Sequence, residues 1–266
     1  MTELKYMSGN EFVRKILSGE RDYSGIRLEA GFSLNGHESF NTLQDYLKKQ
    51  DLRKSPIILS GSKLVDIGAS EIHLPFTIAK ETRFSDSTFE NADFYGANFS
   101  GASFYDASLF SANLENAILR DAGIAGASFN EANLKRADLS SIFDECGDAV
   151  TWFLYADLSY ATFKDSYFLC AMTDFSGANL EGANFENAEL FKFLDFEGAN
   201  LRNANMRGMK FRNTSFNYAD LRGACLDSAQ NLGGASFYGT IVSPKEKEII
   251  QNAIALQLAS FQVEEI

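Results

Sequence analysis

The sequence is poor in the residues that build most catalytic and covalent frameworks. Its 266 residues include two histidines, three cysteines, three prolines and one tryptophan. The cysteines, Cys146, Cys170 and Cys225, show no CxxC spacing and give no disulfide framework because their number is odd, so we expect reduced thiols. The scarcity of proline excludes a collagen-like chain or a proline-rich linker.

Long apolar runs are also missing. The first residues, MTELKYMSGNEF, contain no apolar segment of signal-peptide length, and no stretch approaches the roughly 18 consecutive apolar residues of a membrane-spanning helix. Apolar residues nevertheless make up 45% of the chain, which is enough to fill a sizeable core. We therefore expect a soluble, cytoplasmic protein.

Basic residues are in the minority, and the excess of acid is concentrated in the middle of the chain. The net charge is -12, which argues against a protein that binds nucleic acid by neutralising phosphates. Residues 1–80 carry a net charge of +1, residues 81–242 of -11 and residues 243–266 of -2. This shift predicts three parts: an N-terminal region over 1–80, a central region over 81–242 and a C-terminal segment over 243–266.

Phenylalanine, by contrast, is abundant, with 24 copies. From residue 82 the chain reads in blocks of five whose third residue is apolar and whose first is small, as in ADFYG and ANFSG. The phase is kept for 12 blocks and returns after short interruptions, for 29 blocks in all. Because this period matches neither a helix nor a strand, the chain must turn a corner once per block. The predicted core residues are Phe84, Phe89, Phe94, Phe99, Phe104, Leu109, Leu114, Leu119, Phe129, Leu134, Leu139, Leu180, Phe185, Leu201 and Leu221.

Blocks such as ADFYG, ANLEN, ADLSS and ADLRG resemble the A(D/N)LXX consensus of the pentapeptide repeat family. The resemblance implies an all-β solenoid, a right-handed quadrilateral β-helix in which four blocks make one 20-residue coil. About seven coils are then expected over residues 81–242. The central Leu or Phe and the small residue before it would point inward, and the other three positions would face solvent.

The ends and one interruption depart from this pattern. The segment 140–152 is predicted to be an inserted loop, and residues 8–17 and 38–50 are predicted to contain short helices. Residues 20–80 are either degenerate coils or a separate fold. A capping box at Ser243–Glu246 predicts a helix to about residue 262, which either caps the last coil or forms a homodimer.

Catalytic and metal-binding patterns are absent from the sequence. His37 and His73 both lie in the irregular N-terminal region, and no GxSxG, HExxH, P-loop or GxGxxG string is present. The recurring Asp and Asn before the central residue favour hydrogen bonds at corners over a ladder of metal ligands. We therefore expect no catalytic residue, no cofactor and no metal, and an enzyme with its site in residues 1–80 is the weakest hypothesis.

The outward positions are the remaining place for function. Between residues 81 and 197 there are 20 acidic and 6 basic residues, whereas residues 198–226 form a basic strip. Large aromatic rings also occur at outward positions, which is typical of a contact surface. The candidate partner-binding residues are Tyr95, Tyr105, Phe110, Tyr155, Tyr160, Arg202, Arg207, Arg212 and Arg222.

Two functions fit these features. The first is a non-enzymatic scaffold, a rigid acidic rod that binds a protein partner through its outer faces, with no direct contact to nucleic acid or membrane. The second comes from the resemblance, because some pentapeptide repeat proteins mimic duplex DNA and modulate DNA gyrase or topoisomerase IV. The basic strip and the N-terminal region depart from that second pattern, so the sequence favours the scaffold.

Overall fold

The computed structural model describes residues 3–144, 149–169, 172–190, 193–211 and 213–263. Three α-helices, nine short strands and one 3₁₀ turn are found in this part of the chain. They are β1 (Lys5–Met7), α1 (Gly9–Leu17), β2 (Ile26–Leu28), α2 (Phe40–Lys48), β3 (Phe143–Asp144), β4 (Val150–Trp152), β5 (Tyr167–Phe168), β6 (Met172–Asp174), β7 (Glu189–Leu190), β8 (Phe193–Asp195), β9 (Thr214–Ser215), the 3₁₀ turn (Leu232–Gly234) and α3 (Pro244–Val263).

Four columns of parallel β-bridges run along the chain and define four faces of a solenoid. Uninterrupted bridges join residues 20 apart, as in the pairs Asp93–Asn113 and Asn113–Asn133. Each face is named by its column, and the rest of each five-residue block belongs to the same face. The columns are Ile58, Ile78, Asn98, Ile118, Asp138, Thr162, Asn184, Asn205 and Cys225 on face A; Lys63, Arg83, Ser103, Gly123, Phe143, Tyr167, Glu189, Lys210 and Gln230 on face B; Gly68, Thr88, Ser108, Ser128, Trp152, Asp174, Asp195, Ser215 and Ser236 on face C; and His73, Asp93, Asn113, Asn133, Asp157, Asn179, Asn200, Asp220 and Ile241 on face D.

Each corner is made by a residue in the left-handed backbone region, two positions after the central residue. Gly96 (φ 64°) and Asp106 (φ 56°) are examples, and glycine, asparagine and aspartate recur here because they adopt this conformation at low cost. The side chain before the central residue accepts a hydrogen bond from the backbone two residues on. The Oδ1 atom of Asn133, for example, lies 3.2 Å from the amide nitrogen of Lys135. This local bond explains the preference for Asp or Asn at that position.

The interior is filled by the central residues and by small residues between them. All 15 predicted core residues are at most 3% exposed, and the alanines of the preceding small position are at most 1% exposed from Ala92 to Ala137. Phenylalanine rings of neighbouring coils stack, with 4.8 Å between the centroids of Phe163 and Phe185. The abundance of phenylalanine is therefore a consequence of core filling.

The bridge ladder extends towards the N-terminus beyond residue 81, where the sequence pattern placed the first coil. Bridges join Ile58 to Ile78, and residues 22–33 form three sides of a still earlier coil. The pattern is hidden here because the large residue moves to the small position. Ile67 is buried beside Ala69, so the summed volume of this pair is kept while the order of sizes is reversed.

Two helices close the N-terminal end of the solenoid. Helix α1 begins after Ser8, whose Oγ accepts a hydrogen bond from the Glu11 amide, and it buries Phe12, Val13 and Ile16. Helix α2 occupies the place of the fourth side of the first coil. Its Gln44 side chain donates to the carbonyl of Glu71 and accepts from the amide of His73, so the amide side chain pairs with the open edge.

Helix α3 closes the other end. The backbone amide of Ser243 donates to the carboxylate of Glu246 at 2.9 Å, which is one of the two hydrogen bonds of the predicted capping box, and the Ser243 hydroxyl donates to the same carboxylate. Ile250 is 7% exposed, and α3 packs against the 3₁₀ turn at Leu232. The side chains beyond residue 255 lie outside the described residues.

The interruptions of the repeat all fall at the corner between faces B and C. The bridge spacing is 24 residues for Ser128–Trp152, 22 for Trp152–Asp174 and 21 for the pair of Asp174 with Asp195. On either side of this corner the coils form regular sheets, β3-β5-β7 on face B and β4-β6-β8-β9 on face C. The predicted loop 140–152 is the first and longest of these insertions, and residues 145–148 lie outside the described part.

Candidate interaction surface

The two histidines are engaged in local structural contacts. His73 Nδ1 lies 2.8 Å from the carboxylate of Asp93, and His37 Nε2 lies 2.9 Å from Asn10 Oδ1. Within the described ranges, no three His, Cys, Asp or Glu side chains come together as a metal site requires. In the same part of the chain, no helix has the length and apolar content to cross a membrane.

Asp and Asn side chains of the bridge columns form hydrogen-bonded ladders along the solenoid. On face D, Asn113 Nδ2 donates to Asp93 Oδ1 at 2.9 Å, and Asn133 Nδ2 donates to Asn113 Oδ1 at 3.2 Å. The same arrangement joins Asn205 to Asn184 on face A. These polar residues stabilise the stacking of coils, since each oxygen already accepts from a neighbour.

Several of the exposed aromatic residues cover a glycine of the next coil. A Cβ atom on Gly177 would lie 2.4 Å from the Tyr155 ring, and one on Gly182 would lie 2.7 Å from the Tyr160 ring. The tyrosines themselves have positive φ angles of 56° and 61°. Their rings therefore pack against bare backbone with one side and remain open on the other, at 69% and 57% exposure.

The predicted partner-binding residues do not gather on one face. Tyr105 lies on face B and Arg207 on face A, whereas Arg212 lies outside the described residues. Face C carries Phe110 and Tyr155, and face D carries Tyr95, Tyr160, Arg202 and Arg222. Only Arg202 and Arg222 are neighbours on consecutive coils of one face, as their 20-residue spacing predicts.

Some charges on faces A, B and D form ion pairs across or within coils. Arg120 contacts Asp138 at 2.7 Å on face A, and Lys210 contacts Glu189 at 2.6 Å on face B. Burial raises the pKa of Asp138, but hydrogen bonds from Ser140 and Arg120 outweigh it and hold the pKa below its ordinary value. On face D, the hydrogen bond from Arg222 lowers the pKa of Asp220.

Face C differs from the other three because its described residues include acids and no Lys or Arg. None of these acids takes part in an ion pair with any described residue. The acidic residues are Glu71, Glu90, Glu131, Asp174, Asp195 and Glu197, and the large aromatic residues among them are Phe110, Trp152, Tyr155, Tyr218 and Tyr238. This face is not apparent from the sequence, because insertions shift the spacing from 20 to as much as 24 residues.

Part of face C is a shallow groove with a volume of about 440 Å³. Its lining comes from three consecutive coils and includes Phe193, Asp195, Glu197, Ser215 and Ser236. Asp174 and Asp195 are direct partners in the pairing of β6 with β8, and Asp195 and Ser215 are partners in the pairing of β8 with β9. Two carboxylates and a hydroxyl thus follow one another along the column.

A family model described as pentapeptide repeats matches the chain with eight copies, over residues 82–121, 107–141, 170–192 and 195–229. These ranges lie within the bridge ladder. A search of curated protein sequences gave no significant match.

Solved structures of pentapeptide repeat proteins are similar to the chain. HetL, involved in heterocyst differentiation regulation in Nostoc sp. strain PCC 7120, is 25% identical with a TM-score of 0.42, over 87% of this chain and 97% of HetL. The plasmid-mediated fluoroquinolone resistance protein QnrB1 is 17% identical with a TM-score of 0.40, over 72% of this chain and 99% of QnrB1. A protein of the Arabidopsis thaliana thylakoid lumen is 22% identical with a TM-score of 0.28, over 55% of this chain and 70% of the plant protein. At these TM-scores the neighbours add nothing about the surface.

Proposed function

Because the chain is a pentapeptide repeat protein, we propose that it is a non-enzymatic scaffold that binds a protein partner through the outer faces of its solenoid. The filled interior is the observation that carries this proposal. The central residues with a described burial between Phe94 and Leu226 are at most 3% exposed, so the described interior of these coils has no room for a substrate. Binding must then be carried out by the outer side chains.

The outer surface has the composition of a contact region. Tyr155, Tyr218 and Tyr238 are between 54% and 72% exposed, and exposed rings of this size are typical anchors of protein interfaces. Because backbone bridges hold every coil to its neighbours, the rings and charges are fixed before a partner arrives. Such preorganisation lowers the entropic cost of binding.

Affinity capture with the whole chain as bait tests the proposal. The wild-type protein is expected to retain a partner that is lost when Tyr155, Tyr160, Arg202 and Arg222 are all replaced by serine. Circular dichroism of that variant provides the control for folding. Capture of the same proteins by the variant, or by an unrelated protein of equal net charge, would contradict binding through these outer faces.

A DNA-mimicking modulator of gyrase or topoisomerase IV is the second candidate, and the unpaired acids of face C favour it. Such a protein would bind the DNA-binding region of the enzyme in a salt-sensitive manner, because the contact would be between opposite charges. Purified chain should then alter gyrase supercoiling or protect it from quinolones at micromolar concentration. Unchanged supercoiling and unchanged quinolone inhibition would remove this candidate and leave the scaffold.

A further inference from the structure

We propose that the groove on face C binds an arginine side chain presented by an extended segment of a partner protein. The contact would involve Asp195, Glu197 and Ser215, which line the groove, and Asp174 is the ladder neighbour of Asp195 on the preceding coil. This inference rests on the proposed scaffold function and specifies the face and the chemistry that the scaffold uses.

Two adjacent acids in the face C column, Asp174 and Asp195, have no basic ion-pair partner among the described residues. Asp174 and Asp195 occupy equivalent positions on adjacent coils, which are separated by about 4.8 Å in a β-ladder, and like charges placed directly opposite are destabilising. Asp174 is only 7% exposed, so water screens it poorly. No Lys or Arg among the described residues neutralises either carboxylate. A cation that enters the groove would relieve this repulsion.

The second argument is an unsatisfied hydroxyl in the same column. Ser215 is 7% exposed, and its Oγ atom has no hydrogen-bond partner in the described part of the chain. Buried polar groups are almost always paired, because an unpaired one loses the hydrogen bonds that water would give. Rotation about the single side-chain torsion turns the hydroxyl among its staggered positions, so it can accept from a donor in the groove.

The third argument is the aromatic surroundings of the acids. Trp152 is the direct ladder partner of Asp174, and Tyr218 and Tyr238 lie further along the same face with their ring centroids 5.4 Å apart. Aromatic faces attract cations, and arginine in particular stacks on them. Acids and rings on one face therefore match a guanidinium group better than they match a neutral ligand.

Arginine fits the groove better than a metal ion. The described residues contain no group of three His, Cys, Asp or Glu side chains at metal-binding separation. A planar guanidinium has five donors in a fork and can therefore contact two carboxylates and a hydroxyl at once. The parallel ladder also makes the groove run along the rod, which suits an extended segment.

The test is a titration of the whole chain with the peptide acetyl-Arg-Ser-Arg-Ser-Arg-amide at physiological salt. The probe contains no aromatic residue, so fluorescence from Trp152, the single tryptophan, which lies two coils from Asp195 in the same column, reports binding on face C. We expect a saturable change for the wild type. The same peptide with citrulline in place of arginine should give none, because citrulline keeps the shape and loses the charge.

Matched variants separate this groove from general attraction to an acidic protein. Asp195→Asn with Glu197→Gln should weaken peptide binding at least about tenfold, whereas Asp86→Asn with Asp106→Asn, two exposed acids of face B, should change it less than about twofold. Ser215→Ala should also weaken binding while leaving the melting temperature unchanged or higher, since its hydroxyl has no partner to lose.

Three outcomes would overturn the inference. They are equal weakening by both double variants, equal binding of the citrulline peptide, and a response of Trp152 to Ca²⁺ or Mg²⁺ alone with none to the peptide. Each of these results leaves the scaffold proposal standing, because affinity capture by the whole chain does not depend on the groove.

Discussion

Substitution of Phe99 tests the packing that fixes every outer face. Phe99 is fully buried, and its ring lies 5.1 Å from Phe94, 5.2 Å from Phe104 and 5.8 Å from Phe84, in each case edge to face. A change at this position therefore removes contacts to the blocks before and after it and to the coil below. The change in the free energy of unfolding measures how strongly these edge-to-face ring contacts hold the coils together.

The expected loss in the free energy of unfolding follows from the side-chain volume and the ring contacts that each substitution removes. Phe99→Ala should lower the free energy of unfolding by about 3–5 kcal/mol, because the coils cannot collapse around a cavity between fixed bridges. Phe99→Leu keeps most of the volume, since Leu119 fills the same position of the next coil, and should cost only about 1–2 kcal/mol from lost ring contacts. Phe99→Asp buries an unpaired carboxylate and should not fold.

Urea denaturation followed by circular dichroism provides the measurement. Ser100→Ala is the matched control, because its side chain lies outside the core and loses one hydrogen bond, to Asn98 Oδ1 at 2.7 Å, which is worth about 1 kcal/mol. A loss below about 1 kcal/mol for Phe99→Ala, or equal losses for the Ala and Leu variants, would refute the assignment of this position to a tightly packed core.

Three further predictions concern the ends and the corners. Burial raises the pKa of Glu246, yet hydrogen bonds from Ser243 and nearby amides outweigh it, so the folded pKa lies below its ordinary value of 4.5. The stability that Glu246 provides to α3 is therefore present at neutral pH and lost as the pH falls below about 4.5. Glu246→Gln should flatten this dependence of helix content on pH. Gly182→Ala should lower the melting temperature, because φ is +67° and the new methyl group would displace the Tyr160 ring. When Gly182→Ala is made in a Tyr160→Ala background, the steric part of this loss should disappear, whereas full additivity of the two substitutions would contradict the contact. Removal of residues 243–266 should expose the last coil and give an aggregating chain, whereas a soluble, folded monomer from a dimeric parent would identify α3 as a dimerisation helix.

The regular part of the fold was predictable because one constraint repeats. Every block from Phe84 to Leu139 needs an apolar centre and a small neighbour, and this requirement is visible without any knowledge of the coil. The coils before residue 81 were harder to recognise, because Ile67 with Ala69 satisfies the same volume in the reverse order. A pattern of residue types records that order, whereas packing depends on the sum of volumes.

The outer surface was much less predictable. Insertions at the corner between faces B and C change the length of some coils, so bridge partners across those coils are 24, 22 or 21 positions apart instead of 20. An exposed tyrosine can cover a glycine of the next coil or be available to a partner, and the sequence does not distinguish these two roles. Tyr160 covers Gly182 and lies on face D, whereas the acids and rings of face C come together only through the shifted spacing.

Site-specific photo-crosslinking tests the claim that the protein binds its partner through face C most directly. A benzophenone amino acid replaces Tyr155 on face C in one sample and Tyr95 on face D in another, and both positions already carry an exposed aromatic ring. The account predicts a protein adduct from position 155 that disappears with Asp195→Asn and Glu197→Gln, and little adduct from position 95. Equal adducts from both positions, or an adduct from position 95 alone, would contradict it.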